Sequence, residues 1–215
     1  MRTANISPLL AFAFISLAIS VQFSAISAAP EAVRDIGGEP LQKGLNYSII
    51  PINVGGGLVL GLKLNGAECP RQVVQSQREV SNGLPLTFAS VDPKAKVILT
   101  ETDLNIKYSG AASICPQYSK VWRLAAFDES VSRWFIETNG VAGNPGRQTI
   151  DNWFKIVKDN GVNKYNYKLV FCPTVCNVCK VLCKDVGVYR GADGVRRFAL
   201  VNDGEEPISI FFRKA

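Results

Sequence analysis

Apolar and polar residues alternate along much of the chain with a period of two. Segments 104–108 and 208–212 place an apolar residue at every second position. This period is typical of a β-strand that buries one face. Six further apolar runs have the length of a strand, at 58–64, 121–125, 134–137, 153–157, 167–171 and 198–201. Together these segments predict a chain of about a dozen short strands.

Turn-forming residues separate the predicted strands. Asn65-Gly66, Asn82-Gly83, Asp92-Pro93 and Asp193-Gly194 are dipeptides that favour tight turns. No segment shows the apolar stripe of an amphipathic helix, and no Pro/Ser-rich linker divides the chain. We therefore expect one all-β domain with a closed, barrel-like architecture that leaves few free strand edges.

The N-terminal segment has the features of a secretory signal peptide. Arg2 precedes an apolar run at 9–23, which ends in small residues. This predicts a signal peptide over residues 1–27, cut between 25 and 29, and a mature domain over 28–215. A transmembrane anchor is the alternative, which the polar residues within the run disfavour. No later segment is long and apolar enough for a span, so we expect no membrane partner after cleavage.

Composition excludes several classes of function. The chain has 24 Lys+Arg, 18 Asp+Glu and no His. Ser–His or Cys–His nucleophiles and histidine metal ligands are therefore impossible. The formal net charge of +6 comes from scattered basic residues, so we expect a solvated surface and no nucleic-acid partner. We expect no metal ion and no other cofactor.

Carboxylates and tryptophans offer weak signals for sugar chemistry. Glu101 with Asp103, and Glu205 with Glu206, could form a glycosidase pair. Both pairs lie in polar segments, where exposed, solvated charges are the better interpretation. The three tryptophans could stack on a sugar, but their strand positions favour core packing for most of them. An enzyme is the least favoured class.

Six cysteines indicate disulfides in an exported chain. The last four have the spacing C-x3-C-x2-C-x3-C, which could also hold a metal ion, although an oxidising compartment disfavours that alternative. Six cysteines allow fifteen pairings, and the spacing leaves all of them open. The cysteines are Cys69, Cys115, Cys172, Cys176, Cys179 and Cys183.

Several separated motifs resemble those of the plant Kunitz family, of the soybean-trypsin-inhibitor type. The cysteine run that begins Cys172-Pro173-Thr174-Val175-Cys176 is most similar to the miraculin-like branch. Gly37 is a minor departure, since the family usually has a polar residue there. The motifs are residues 33–41, Cys69-Pro70 with 73–76, Trp153-Phe154, residues 167–173 and residues 185–188.

This resemblance implies a β-trefoil fold of twelve strands in three similar units. It also implies three disulfides, Cys69–Cys115, Cys172–Cys183 and Cys176–Cys179. The first closes the longest loop, so in the chain-entropy model it should contribute about 3–5 kcal/mol to the free energy of unfolding.

The resemblance further implies inhibition of a serine protease of the trypsin type. Inhibitory members present an exposed loop, here around residues 88–96, that enters the protease like a substrate. The implied reactive segment is Val91, Asp92, Pro93, Lys94, Ala95 and Lys96. Lys94 is the predicted primary residue and Lys96 the second choice, because a basic side chain suits the acidic pocket of trypsin. Alternatively, both lysines merely solvate a turn.

Two departures from the family pattern predict weaker and narrower inhibition. Lys43 occupies the position where inhibitory members usually have an Asn that supports the loop from below. Lysine has hydrogen-bond donors but no acceptor, so it cannot replace both sides of an amide. Pro93, directly before Lys94, stiffens the loop but removes a main-chain donor.

The remaining expectations concern modification, assembly and role. Asn46 begins the sequon Asn46-Tyr47-Ser48, a candidate glycosylation site. Residues 159–164 lack the extra cysteine that links miraculin into dimers, so we expect a monomer. The protein would be secreted, to the cell exterior or the vacuole, and would act in plant defence. The alternatives are a non-inhibitory binding module and a storage or stress-accumulated protein.

Overall fold

The computed structural model describes residues 29–52, 55–110, 114–159 and 163–215. The predicted signal peptide therefore lies outside the described residues, as does the first residue of the predicted mature domain. The described chain contains twelve strands: β1 (Tyr47–Pro51), β2 (Leu58–Gly61), β3 (Gln72–Gln75), β4 (Leu86–Ser90), β5 (Leu104–Tyr108), β6 (Arg123–Asp128), β7 (Arg133–Glu137), β8 (Lys155–Lys158), β9 (Tyr167–Phe171), β10 (Lys184–Arg190), β11 (Arg196–Leu200) and β12 (Ile210–Lys214).

Six of these strands close into a barrel. β1 pairs with β4, β4 with β5, β8 with β9, β9 with β12, and β12 with β1, all antiparallel. A bridge between Leu104 and Phe154 joins β5 to the start of the β8 segment. Each barrel strand therefore has a neighbour on both sides, and this arrangement removes free edges.

The other six strands form three hairpins that cap the barrel. β2 pairs with β3, β6 with β7, and β10 with β11. The hairpins also pair with one another, through β3–β7, β3–β11 and β7–β11. Each group of four consecutive strands thus contributes two barrel strands and one hairpin. This threefold repetition is the β-trefoil, which confirms the predicted fold class.

Aromatic side chains fill the barrel. Phe212 of β12 lies edge-on to Phe88 of β4, with ring centroids 5.5 Å apart, and 5.6 Å from the ring of Tyr167. Trp122 meets Phe154 edge-on in the same core. Edge-to-face pairs of this kind stabilise a core beyond the area that they bury.

The alternation of apolar and polar residues did not predict every strand of the structure. All residues of β1 and β3 are buried, so neither strand has the polar face that produces alternation. The predicted strand at 153–157 begins only at Lys155, because a 3-10 helix (Arg147–Asn152) directly precedes Trp153. That helix begins directly after Gly146.

Candidate protease-binding loop

The candidate loop connects two neighbouring barrel strands. β4 and β5 pair in continuous register from Leu86 and Tyr108 to Ser90 and Leu104. One step further, the Val91 N–H donates to the Asp103 carbonyl at 2.8 Å and closes the base of the loop. Residues 92–102 therefore leave the barrel from a rigid base.

A tight turn forms the tip of the loop. The Ala95 N–H donates to the Asp92 carbonyl at 3.2 Å, and the Lys94 N–H donates to Asp92 Oδ1 at 2.9 Å. Pro93 occupies the second position of this turn, where its fixed φ is favoured. Lys94 does not have the positive φ that a type II turn requires at this position, so the turn is of type I. Asp92, Pro93 and Lys94 are exposed.

The second half of the loop pairs with residues 41–43, the N-terminal segment of the described chain that precedes β1. Val97 forms a bridge with Gln42, and the Lys43 N–H donates to the Lys96 carbonyl at 2.9 Å. Ile98 and Leu41, which follow in the same pairing, are fully buried. Because these apolar side chains lie in the core, they anchor the loop from Lys96 onward.

Lys43 contacts the candidate loop with its side chain as well. Lys43 Nζ donates to the Pro93 carbonyl at 2.8 Å. The structure thus brings Lys43 together with the turn, at the position from which the family's Asn is expected to act. Lysine supplies the donor of that amide and lacks its acceptor, as its chemistry requires.

The end of the loop is fixed to two other segments. Glu31 and Thr100 exchange two hydrogen bonds, of 2.8 and 3.0 Å. Glu31 also accepts from Lys158 Nζ at 2.7 Å, and this hydrogen bond raises the pKa of the Lys158 ammonium above its ordinary value of 10.5. Glu101 has a positive φ of 58°, and its N–H donates to the carbonyl of Ile156.

Asp103 corrects one expectation from the sequence. The pair Glu101 and Asp103 was predicted to be exposed, but Asp103 is only 4% exposed. Its Oδ2 accepts from the N–H and the hydroxyl of Thr174, at 3.0 and 2.6 Å. Asp103 therefore joins the base of the candidate loop to the segment after β9. The sequence carried no signal for a contact between residues 71 positions apart.

The other carboxylate pair and the tryptophans make contacts outside the candidate loop. Glu205 forms an ion pair with Arg133, which lowers the Glu205 pKa from 4.5 to about 2. Trp122 and Trp153 are buried, as core packing requires. Trp134 is partly buried, and its ring lies 4.3 Å from that of Phe127.

All six cysteines form disulfides, in the pairing that the family resemblance implied. Cys69–Cys115 links the segment before β3 to the segment between β5 and β6. Cys172–Cys183 spans the connection from β9 to β10, and Cys176–Cys179 closes a small loop inside it. The four cysteines whose spacing could hold a metal ion are thus all in disulfides. Disulfides are typical of proteins in an oxidising compartment.

The charge around the turn is positive. Lys94 and Lys96 are both exposed, Lys43 lies beside them, and Asp92 is the one carboxylate within residues 88–96. Across the described part of the chain, no three carboxylates or cysteines gather as a metal site would require. The same residues contain no helix with the length and apolar character of a membrane span.

Asn46, the candidate glycosylation site, directly precedes β1. Its side chain is exposed, whereas Tyr47 and Ser48 of the sequon are buried. Its carbonyl accepts from the N–H of Ala215 at 3.0 Å. Asn46 is three residues from Lys43, so its Cα lies within about 11 Å of the Lys43 Cα.

Comparison with known proteins decides the family. The model of the legume Kunitz family, described as trypsin and protease inhibitor, matches residues 33–214. The chain belongs to this family. It is 44% identical over 210 residues to Kunitz trypsin inhibitor 5 of Arabidopsis thaliana, covering 96% of this chain and 98% of that protein.

Two further comparisons show the range of the family. The chain is 44% identical over 206 residues to miraculin of Synsepalum dulcificum, covering 94% of this chain and 91% of that one. Its fold is similar to that of a Kunitz-type cysteine protease inhibitor from potato, with a TM-score of 0.71 and 33% identity over 86% of this chain and 98% of that chain. These relatives confirm the predicted miraculin-like resemblance and agree with the expectation that the chain is not an enzyme.

Proposed function

We propose that the mature protein inhibits a serine protease of the trypsin type, with Lys94 as the primary residue. The observation that carries this proposal is the position of Lys94, exposed at the tip of a loop whose two ends are anchored. A loop whose two ends are anchored loses less conformational entropy in the complex than a free segment would. The exposed ammonium can enter a pocket with an acidic floor.

The backbone favours Lys94 over Lys96. The Lys96 carbonyl already accepts from Lys43, and the next residue pairs with Gln42. A substrate-like residue needs a main chain that can bond to the protease. Lys94 lies before this pairing begins, so fewer contacts with the N-terminal segment oppose its insertion.

The test is a titration of trypsin with the purified mature protein, together with the variants Lys94→Ala and Lys96→Ala. We expect saturable inhibition by the wild type, loss of it in Lys94→Ala and retention in Lys96→Ala. The opposite pattern for the two variants would shift the primary residue to Lys96. Chymotrypsin and papain are titrated in parallel, because a similar fold serves a cysteine protease inhibitor.

The second candidate is a binding module without inhibitory activity. It is favoured by the turn at Asp92, which occupies the N–H of the proposed primary residue, and by the similarity to miraculin. The binding-module hypothesis predicts that the wild type inhibits none of trypsin, chymotrypsin and papain. A storage or stress-accumulated protein would show neither inhibition nor a specific ligand.

The protein is proposed to reach the cell exterior or the vacuole and to act there in plant defence as a monomer. The apolar N-terminal segment and the three disulfides support this route. N-terminal sequencing of the exported protein should find a start between residues 26 and 29. Light scattering should give the mass of one chain, without an intermolecular disulfide.

A further inference from the structure

The two main-chain donors that follow Pro93 both bond to Asp92. The Lys94 N–H donates to its carboxylate, and the Ala95 N–H donates to its carbonyl. Asp92 is itself fixed, because its own N–H donates to Ser90 Oγ at 3.2 Å. Asp92 therefore controls the backbone on both sides of the Lys94–Ala95 peptide bond, the bond that a trypsin-like protease would attack.

This turn is incompatible with substrate-like binding. An inserted segment binds as an extended strand and exchanges main-chain hydrogen bonds with the protein that receives it. The second residue of a type I turn has ψ near −30°, whereas an extended residue has ψ above about +100°. Pro93 must therefore rotate, and Lys94 must release Asp92, before a protease can bind the loop.

The contacts within the turn, together with Lys43, maintain the closed form. Asp92, Pro93 and Lys94 are exposed, so burial in the core does not hold them. Lys43 Nζ binds the Pro93 carbonyl, the group that must move when Pro93 rotates. The carboxylate of Asp92 is the side-chain group that accepts from the main chain of the primary residue.

We propose that Asp92 is a positioning residue that holds the inhibitory loop in a closed turn and thereby lowers its affinity for a trypsin-like protease. The inference rests on the proposed function. It supplies a third physical reason for weaker inhibition, besides Lys43 and Pro93: part of the free energy of binding is spent on opening the turn.

Two substitutions separate the turn from the charge. Asp92→Asn keeps an oxygen that can accept from the Lys94 N–H and removes the negative charge. Asp92→Ala removes both. We expect Asp92→Ala to lower the inhibition constant for trypsin about five- to tenfold, the range of one lost hydrogen bond. Asp92→Asn should stay within about twofold of the wild type.

Amide hydrogen exchange measured by NMR reports whether the turn is closed in the absence of any protease. The Lys94 amide should exchange slowly in the wild type and in Asp92→Asn, and at least several times faster in Asp92→Ala. The amide of Ile98, which donates to Leu41 in the anchored half of the loop, is the internal control and should not change.

Three outcomes would overturn the inference. Equal tightening by both variants would show that the charge acts and the turn does not. Unchanged inhibition by Asp92→Ala, with wild-type inhibition that still depends on Lys94, would remove the role of Asp92 alone. If neither the wild type nor Asp92→Ala inhibits trypsin, the proposed function is wrong and the inference is wrong with it.

Discussion

The ammonium group of Lys43 lies 2.8 Å from the carbonyl oxygen of Pro93, across 50 residues of sequence. This hydrogen bond joins the N-terminal segment to the turn that presents Lys94. It is exposed, so it contributes little to the free energy of unfolding, and its main effect is local order in the loop.

Removal of this hydrogen bond should make the loop easier to cleave. In Lys43→Met the apolar stem remains and the donor is lost. We expect trypsin to cut the Lys94–Ala95 bond several times faster, because a looser loop lets the cleaved ends separate. Mass spectrometry after prolonged incubation follows the cut. Lys107→Met, an exposed lysine on β5, is the control, and equal cleavage in both variants would contradict the prediction.

The three disulfides should differ in their effect on stability. In the chain-entropy model, a separation of 46 residues for Cys69–Cys115 corresponds to about 4 kcal/mol, and a separation of 3 for Cys176–Cys179 to about 2 kcal/mol. We expect the double serine variant of the first pair to lose about 2 kcal/mol more than that of the last pair. Urea unfolding measures both. An equal loss would show that loop length does not govern their contributions.

Two adjacent phenylalanines on β12 test the inward and outward alternation of the barrel. Phe212 is fully buried between Phe88 and Tyr167, so Phe212→Ala should cost about 3–5 kcal/mol. Phe211 is only partly buried and lies beneath the guanidinium of Arg213. Phe211→Ala should cost about 1 kcal/mol or less. Comparable losses in urea unfolding would refute the assigned orientation.

The ion pair between Arg133 and Glu205 should make stability depend on pH. The Glu205 pKa falls from 4.5 to about 2, chiefly through its hydrogen bond with Arg133. Because the folded-state pKa is lowered, the stabilisation is complete above about pH 4.5 and is lost as the pH falls through about 2.

Glu205→Gln isolates this contribution. The Glu205 side chain is 42% exposed, so solvent screening limits the loss at pH 7 to about 1 kcal/mol or less. The difference from the wild type should vanish below about pH 2. Glu206→Gln, an exposed neighbour, is the control. A difference that persists at low pH would contradict the assigned cause.

Asn46 is expected to carry a glycan when the protein passes through the secretory route. The Asn46 side chain is exposed in the fold, and the sequon is accessible while the chain is still unfolded. Treatment with an N-glycosidase should lower the mass of the exported protein, and Asn46→Gln should have the lower mass from the start. An unchanged mass after treatment of the wild type would refute the prediction.

The sequence predicted eight of the strands from their alternation or from their apolar runs. The alternation at 104–108 and 208–212 corresponds to β5 and β12, and the run at 167–171 coincides with β9. It did not reveal β1, β3, β4 and β10; of these, β1 and β3 are buried on both faces. The disulfide pairing came from the family resemblance, since spacing alone allows every combination.

The sequence by itself determined an all-β chain without histidine chemistry, with six cysteines and with a basic residue in the candidate loop. The first three of these properties depend on composition and on local periodicity, whereas the position of the loop is what the family resemblance implies. Only the tertiary structure decided that Lys43 meets Pro93, that Asp103 is buried against Thr174, and that Asp92 holds Lys94 in a closed turn. The first two contacts join residues far apart in sequence, and the third depends on backbone angles that an Asp-Pro pair favours but does not fix. Closure of the barrel places these segments together, because it brings the N-terminal segment against the loop between β4 and β5.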